Sequence, residues 1–152
     1  MSRIKAFRFR WEDAWGMIDS GYDTILEISD TGNIIIQFLV NNKPFQLNIS
    51  DKEDEFIEDM KILAGWNKKE YADPYTLDGT KWCLYFTYDD ISVVSKGVNG
   101  FPSDFIDFLN ILHQKYDVPK AKYDNNEEWI KYHIKHTKIK NDQDMDSKAM
   151  YF

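Results

Sequence analysis

Alternating hydrophobic and polar residues fill the first third of the chain and predict β-strands. Phe7, Phe9 and Trp11 occupy every second position and alternate with Arg8 and Arg10, so the two sets face opposite sides of a strand. Similar alternation recurs in three later segments, at 22–29, 34–40 and 45–49. Their short links favour antiparallel neighbours, because a parallel pair needs a long crossover. We therefore expect an antiparallel meander of four strands.

Helical spacing replaces the alternation after residue 50. Ser50 and Glu53 match an S-x-x-E capping box, in which the two side chains satisfy free backbone N–H groups of the first turn. Apolar residues then recur at helical spacing and would bury one stripe against the sheet: Phe56, Ile57, Met60 and Leu63. Gly65 is a typical C-terminal stop. The pattern predicts a first helix between Ser50 and Gly65.

Strand and helix signals return in the second half of the chain. Alternation over 82–88 and 91–96 predicts a hairpin that turns at Asp89, whereas 67–70 is a polar connector and 71–77 an extended segment or loop. Two further helices are predicted by apolar residues at helical spacing, over 105–112 and 127–138.

These elements predict an α+β fold with a mostly antiparallel sheet of about six strands, two packed helices and an additional C-terminal helix. We expect a single α+β domain over residues 1–118. A linker and C-terminal helix, packed on or beside the domain, would occupy 119–140, and a flexible acidic tail would occupy 141–152.

Composition narrows the class of protein. The chain has 152 residues, of which 43% are hydrophobic and 16% aromatic, enough for the core of one folded domain. No apolar run approaches the roughly 18 residues of a membrane span. Cys83 is the single cysteine, so no disulfide framework can form, and the first residues lack the apolar core of a secretion signal. We expect a cytoplasmic protein.

The stretch from Trp66 to Leu112 contains two linked motifs. A DG-x-x-W-x-L strand at 78–84 precedes a G-x-N-x-[YF]-P-x-x-F helix entry at 97–105. This pair resembles an uncharacterised small-domain family of Gram-positive bacteria and their mobile elements. The resemblance covers about a third of the chain and implies a bacterial or phage source and a strand–hairpin–helix unit. It implies no activity, and Cys83 stands where the family pattern has a small polar residue.

The sequence contains no recognisable catalytic or metal-binding motif. It has no P-loop, G-x-G-x-x-G, H-E-x-x-H or C-x-x-C. Cys83 falls inside a predicted strand, where free cysteines are commonly buried and inert. His133 and His136 could share a metal with His113, but zinc needs three or four ligands, and a solvated histidine pair is the simpler interpretation. We expect no catalytic residue, metal or cofactor, although an enzyme assembled from distant residues stays a third hypothesis.

Acidic and aromatic residues supply the main functional hypothesis. Acidic residues crowd the first helix, and several aromatics fall in predicted loops. The candidate partner-binding residues are Glu55, Glu58, Asp59, Trp15, Trp66, Tyr71 and Tyr75. The competing interpretation is a solvated helix face and core aromatics. An acidic ridge fits a basic protein partner, and the net charge of −7 disfavours direct nucleic-acid binding.

The sequence thus predicts a non-enzymatic protein-interaction module, such as a bacterial immunity protein or a phage anti-defence inhibitor. The alternative is a protein that binds or sequesters a small, nucleotide-like ligand. Asn99 and Phe101, in the 97–102 loop, are the candidate residues for that ligand. The oligomeric state stays open.

Overall fold

The structure, a computed structural model, describes residues 2–76 and 79–146. Eight strands lie in these residues: β1 (Ile4–Asp13), β2 (Tyr22–Ile28), β3 (Ile34–Val40), β4 (Lys43–Asn48), β5 (Lys69–Ala72), β6 (Thr80–Tyr88), β7 (Ile91–Val98) and β8 (Lys138–Asn141). Three α-helices accompany them: α1 (Glu53–Met60), α2 (Phe105–Asn110) and α3 (Glu127–His136). Within the described ranges, no helix combines the length and the apolar character that crossing a bilayer requires.

The chain folds in the predicted α+β class, but its sheet is larger than expected and mixed. The strand order is β4-β3-β2-β1-β6-β7-β5-β8. The added strands are β5, which pairs in parallel with β7, and β8, which pairs antiparallel with β5. The prediction of about six mostly antiparallel strands is therefore wrong in number. Both added strands have four residues, too few to show a clear alternation.

Aromatic rings form the core on one face of the sheet. Phe105 of α2 contacts six other rings at centroid distances from 4.7 to 6.3 Å: Phe9, Trp11, Trp66, Trp82, Phe101 and Phe108. Helix α1 lies on the same face, where Phe56 packs edge-on against Phe7 at 5.4 Å. Most of the large apolar side chains are thereby removed from water on this single face.

The opposite face of the sheet carries charged side chains and the start of the C-terminal segment. Arg10 of β1 binds Asp23 of β2 at 2.9 Å. Met145 is buried against Cys83 of β6. The segment predicted as a tail, 141–152, thus packs on the sheet as far as Met145, because that side chain covers apolar surface. Residues 147–152 lie outside the described residues.

The capping box predicted at Ser50 and Glu53 does not form. Lys52 is the N-cap residue of α1, and no side chain caps the helix. The Glu53 carboxylate instead accepts hydrogen bonds from the backbone N–H of Ile4 and the guanidinium of Arg3, both at 3.0 Å. These bonds join the start of α1 to the start of β1, so tertiary partners have replaced the local ones.

We expect Phe105→Ala to lower the free energy of unfolding by about 3–5 kcal/mol, because it leaves a cavity among six rings. Urea unfolding measures this loss. The matched control is Ile91→Ala, which removes an exposed apolar side chain at the edge of the hairpin and should cost less than about 1 kcal/mol. Equal losses in the two variants would contradict the central role of Phe105.

Candidate interaction surface

The structure divides the four candidate aromatic residues into an exposed pair and a buried pair. Trp15 is 85% exposed and Tyr75 83%, whereas Trp66 is 1% and Tyr71 3% exposed. Trp66 and Tyr71 both pack against Trp82, with ring centroids 5.5 and 5.9 Å away. Trp66 and Tyr71 are therefore core side chains and not the exposed loop residues that the sequence predicted, because their segments form a 3₁₀ turn and strand β5.

Trp15 and Tyr75 lie on two loops at the same end of the sheet. Asp13, the last residue of β1, pairs with Thr80, the first residue of β6. The loop after β1 and the loop before β6 therefore leave the sheet side by side. We call this region the loop-end surface: the exposed parts of 14–21, 73–76 and the corner 122–129 that borders both loops.

Short hydrogen bonds fix the loop that carries Trp15. Asp13 Oδ1 accepts hydrogen bonds from the backbone N–H groups of Trp15 and Met17, at 2.8 and 2.9 Å. The Asp13 N–H in turn donates to the Met17 carbonyl at 2.8 Å. A closed turn thus keeps the side chains of Trp15 and Met17 exposed to solvent. Large apolar side chains kept exposed in this way are typical of a binding surface.

A buried carboxylate fixes the loop that carries Tyr75. Asp73 accepts hydrogen bonds from the Tyr75 N–H at 3.1 Å and from the Thr76 hydroxyl at 3.0 Å. His133 Nδ1 of α3 lies 2.9 Å from Asp73 Oδ2, and both side chains are buried. Burial alone would raise the pKa of Asp73, but the hydrogen bonds from Tyr75, His133 and Thr76 outweigh it and lower the pKa. The loop is therefore attached to α3 through an ionised carboxylate.

A cleft of about 300 Å³ opens at the loop-end surface. Its aromatic walls are Tyr123 and Trp129, and Ser20, Gly79 and Thr80 complete it together with Lys122 and Asn126. The Tyr123 N–H donates to the Ser20 carbonyl at 3.1 Å, which joins the corner to the first loop. Sequence reasoning missed this cleft, because 120–125 looks like a polar linker. The one available signal was a tyrosine and a tryptophan six positions apart in a polar stretch.

The residues proposed for a small ligand organise the same end of the sheet. The Asn99 side-chain oxygen accepts a hydrogen bond from the Thr80 N–H at 2.8 Å, and its amide donates to the Thr76 carbonyl at 3.1 Å. A side chain at Gly79 would collide with this amide, so the position requires glycine. Phe101 is buried on Phe105. Both ends of the Asn99 amide thus bind backbone of the chain itself.

The acidic residues of α1 lie away from the aromatic loops. Glu53, at the start of α1, binds the N–H of Ile4, the first residue of β1. Trp15, by contrast, lies just beyond Asp13, at the other end of this strand. The ten residues of β1 therefore separate Trp15 from the start of α1. The structure therefore does not combine the acidic and aromatic candidates into one surface.

Of the three acidic candidates, Asp59 has a structural role. Its carboxylate accepts a hydrogen bond from the Tyr116 hydroxyl at 2.5 Å and pairs with Lys115 at 2.7 Å. Burial and this carboxylate raise the pKa of Tyr116. Glu55 and Glu58 are the exposed members, and they pair with Lys115 and Lys61. Only these two candidates offer an accessible acidic surface.

The three histidines have separate partners within the described part of the chain. His113 lies 2.5 Å from Asp124, His133 binds Asp73, and His136 Nδ1 lies 2.8 Å from the Tyr132 carbonyl. No three His, Cys, Asp or Glu side chains converge as a metal site in residues 2–76 and 79–146.

We expect the melting temperature of Asp73→Asn to be about 2–4 °C below that of the wild type at pH 7. Because folding lowers the pKa of Asp73 from 3.8, its stabilising effect is complete above about pH 4 and is lost as the pH falls through the folded value. The gap should therefore narrow as the pH falls below about 4. Thermal unfolding across this range measures it, with the exposed Asp30→Asn as control. A gap that stays constant with pH would contradict the assignment.

Comparisons with known proteins give no match, so the proposed function depends on the residues of the loop-end surface and of the clefts. No protein-family model matches the chain, and no curated protein or solved structure matches it significantly.

Proposed function

We propose that the protein is a non-catalytic protein-interaction module that binds a partner protein through the loop-end surface. The observation that carries the proposal is the exposure of Trp15 and Tyr75 on two neighbouring loops whose backbones are fixed. Burying a large apolar side chain is worth about 1.5–3 kcal/mol, so leaving two in water forgoes stability that a partner can restore. Tryptophan and tyrosine are also the residues that most often dominate binding energy at interfaces.

The surroundings of these two rings support an interface. Met17 adds an exposed, adaptable apolar side chain to the Trp15 loop. Glu127 and Glu128, in the first turn of α3, give the surface an exposed polar border. An apolar centre with a polar rim is the usual arrangement of a protein–protein interface.

An inhibitor is the class of module that we propose, of the kind represented by bacterial immunity proteins and phage anti-defence proteins. Such a protein acts by covering a functional surface of its partner, so it needs a rigid surface and no catalytic group of its own. Glu55 and Glu58 form a second candidate surface, which would suit a basic partner.

A second candidate function is the binding of a small, nucleotide-like ligand. A separate cleft of about 300 Å³, bordered by Phe101 and Pro102, favours it, since ligand pockets begin at roughly this size. Lys69, Ile134 and Ile139 also line this cleft, providing one cation and apolar surface.

The protein-binding proposal is tested by capturing partners on immobilised protein from a lysate of the source organism. We expect the Trp15→Ala/Tyr75→Ala double variant to lose the partner that the wild type retains, with affinity falling at least about 30-fold once the partner is purified. The matched control is Ile28→Ala/Ile91→Ala, which removes two exposed apolar side chains at the other end of the sheet and should bind like the wild type. Equal retention by both variants, or no partner on the wild type, would refute the proposal.

The ligand proposal requires a different readout. We expect native protein purified under mild conditions to release a small molecule on denaturation, detected by mass spectrometry, and Lys69→Ala to carry less of it. Protein that releases nothing, and whose melting temperature does not respond to a nucleotide panel, would contradict this second function.

A further inference from the structure

Two carboxylates lie next to residues that line the cleft between Tyr123 and Trp129: Asp13 pairs across the sheet with Thr80, and Asp19 directly precedes Ser20. Asp13 accepts hydrogen bonds from backbone N–H groups, and Asp19 Oδ1 accepts one from the side-chain amide of Asn42 at 2.6 Å. These donors are neutral backbone and side-chain amide groups. Burial, together with the negative charges of Asp13 and Asp19, raises the pKa of the Tyr123 hydroxyl. Asp13 and Asp19 thus lie on the side of the cleft that Tyr123 forms.

The walls themselves suit a cation. Tyr123 and Trp129 present two aromatic side chains to the same space, and the face of an aromatic ring attracts a positive charge. Both side chains are half-buried, so a cation between them would be partly removed from water, which strengthens the attraction. Lys122 also lines the cleft, and its exposed ammonium should weaken the binding of a second cation.

We propose that this cleft takes a lysine or arginine side chain from a basic segment of the partner protein. The inference rests on the proposed function and specifies the partner's chemistry at the loop-end surface. Charge complementarity selects the occupant: two carboxylates next to the cleft and two aromatic side chains in its lining favour a cation over an anion. The same chemistry also fits the chain's net charge of −7.

The test uses two short peptides as probes, acetyl-Ala-Arg-Ala-Arg-Ala-amide and its counterpart with glutamate in place of arginine. Nuclear magnetic resonance of the ¹⁵N-labelled full chain follows the Trp129 indole N–H and the backbone N–H groups of Ser20 and Gly21. We expect saturable shifts with the arginine peptide that weaken as salt is added, and none with the glutamate peptide.

Three variants calibrate the site. Asp19→Asn keeps an acceptor for Asn42 but removes the charge, and should weaken the arginine peptide about threefold. Lys122→Gln should strengthen it about twofold to threefold, because a like charge is removed. Asp30→Asn makes the same chemical change as Asp19→Asn in the exposed turn between β2 and β3, and should bind like the wild type.

Several outcomes would overturn the cation site. They are an absence of shifts with the arginine peptide, equal shifts with both peptides, and equal affinity in Asp19→Asn and Asp30→Asn. The proposed function is judged separately from partner capture. A partner whose affinity falls in Trp15→Ala/Tyr75→Ala but is unchanged in Asp19→Asn would preserve the interaction module and reject the cation site. A partner retained by the aromatic double variant would refute both.

Discussion

The packing of Phe105 against the sheet fixes the positions on which the rest of the structure depends. Its ring touches Trp11 and Trp82, which lie opposite each other on the adjacent central strands β1 and β6. It also touches Phe101, in the segment that enters α2, and Trp66, in the turn that follows α1. One side chain therefore sets the distance between the sheet and both covering segments. The positions of the ends of β1 and β6, next to the loops that carry Trp15 and Tyr75, follow from this arrangement.

Three buried tryptophans connect the core to the loops through hydrogen bonds. Each indole N–H donates to a group at the loop end or the helix entry: Trp11 to the Thr80 hydroxyl, Trp82 to the Gly100 carbonyl and Trp66 to the Asp104 carboxylate, at 2.7 to 2.9 Å. A buried indole without such a partner would be costly, so the bonds fix where each loop can run. The position of the Trp82 indole also requires glycine at position 97, because any side chain there would collide with it.

The exposed aromatic side chains are positioned by different interactions from the buried ones. Trp15 and Tyr75 gain nothing from the core, and their positions come from backbone hydrogen bonds to Asp13 and Asp73. The rigidity of the loops thus does not depend on burying the rings, so the proposed binding would require no refolding. A surface fixed before binding loses less conformational entropy when the partner arrives.

The sequence by itself determined the elements that are long enough to repeat their pattern. The meander, the β6–β7 hairpin and the apolar stripes of α1 and α2 follow from side-chain periods of two and of about 3.6 residues, which act locally. The short strands β5 and β8, the use of Glu53 for β1 instead of a helix cap, and the burial of Trp66 and Tyr71 depend on partners distant in the chain. Tertiary structure alone decided that Trp15 and Tyr75 stay exposed and that Tyr123 and Trp129 enclose a cleft. Exposure is a property of what packs nearby, and residue type and spacing along the chain do not encode it.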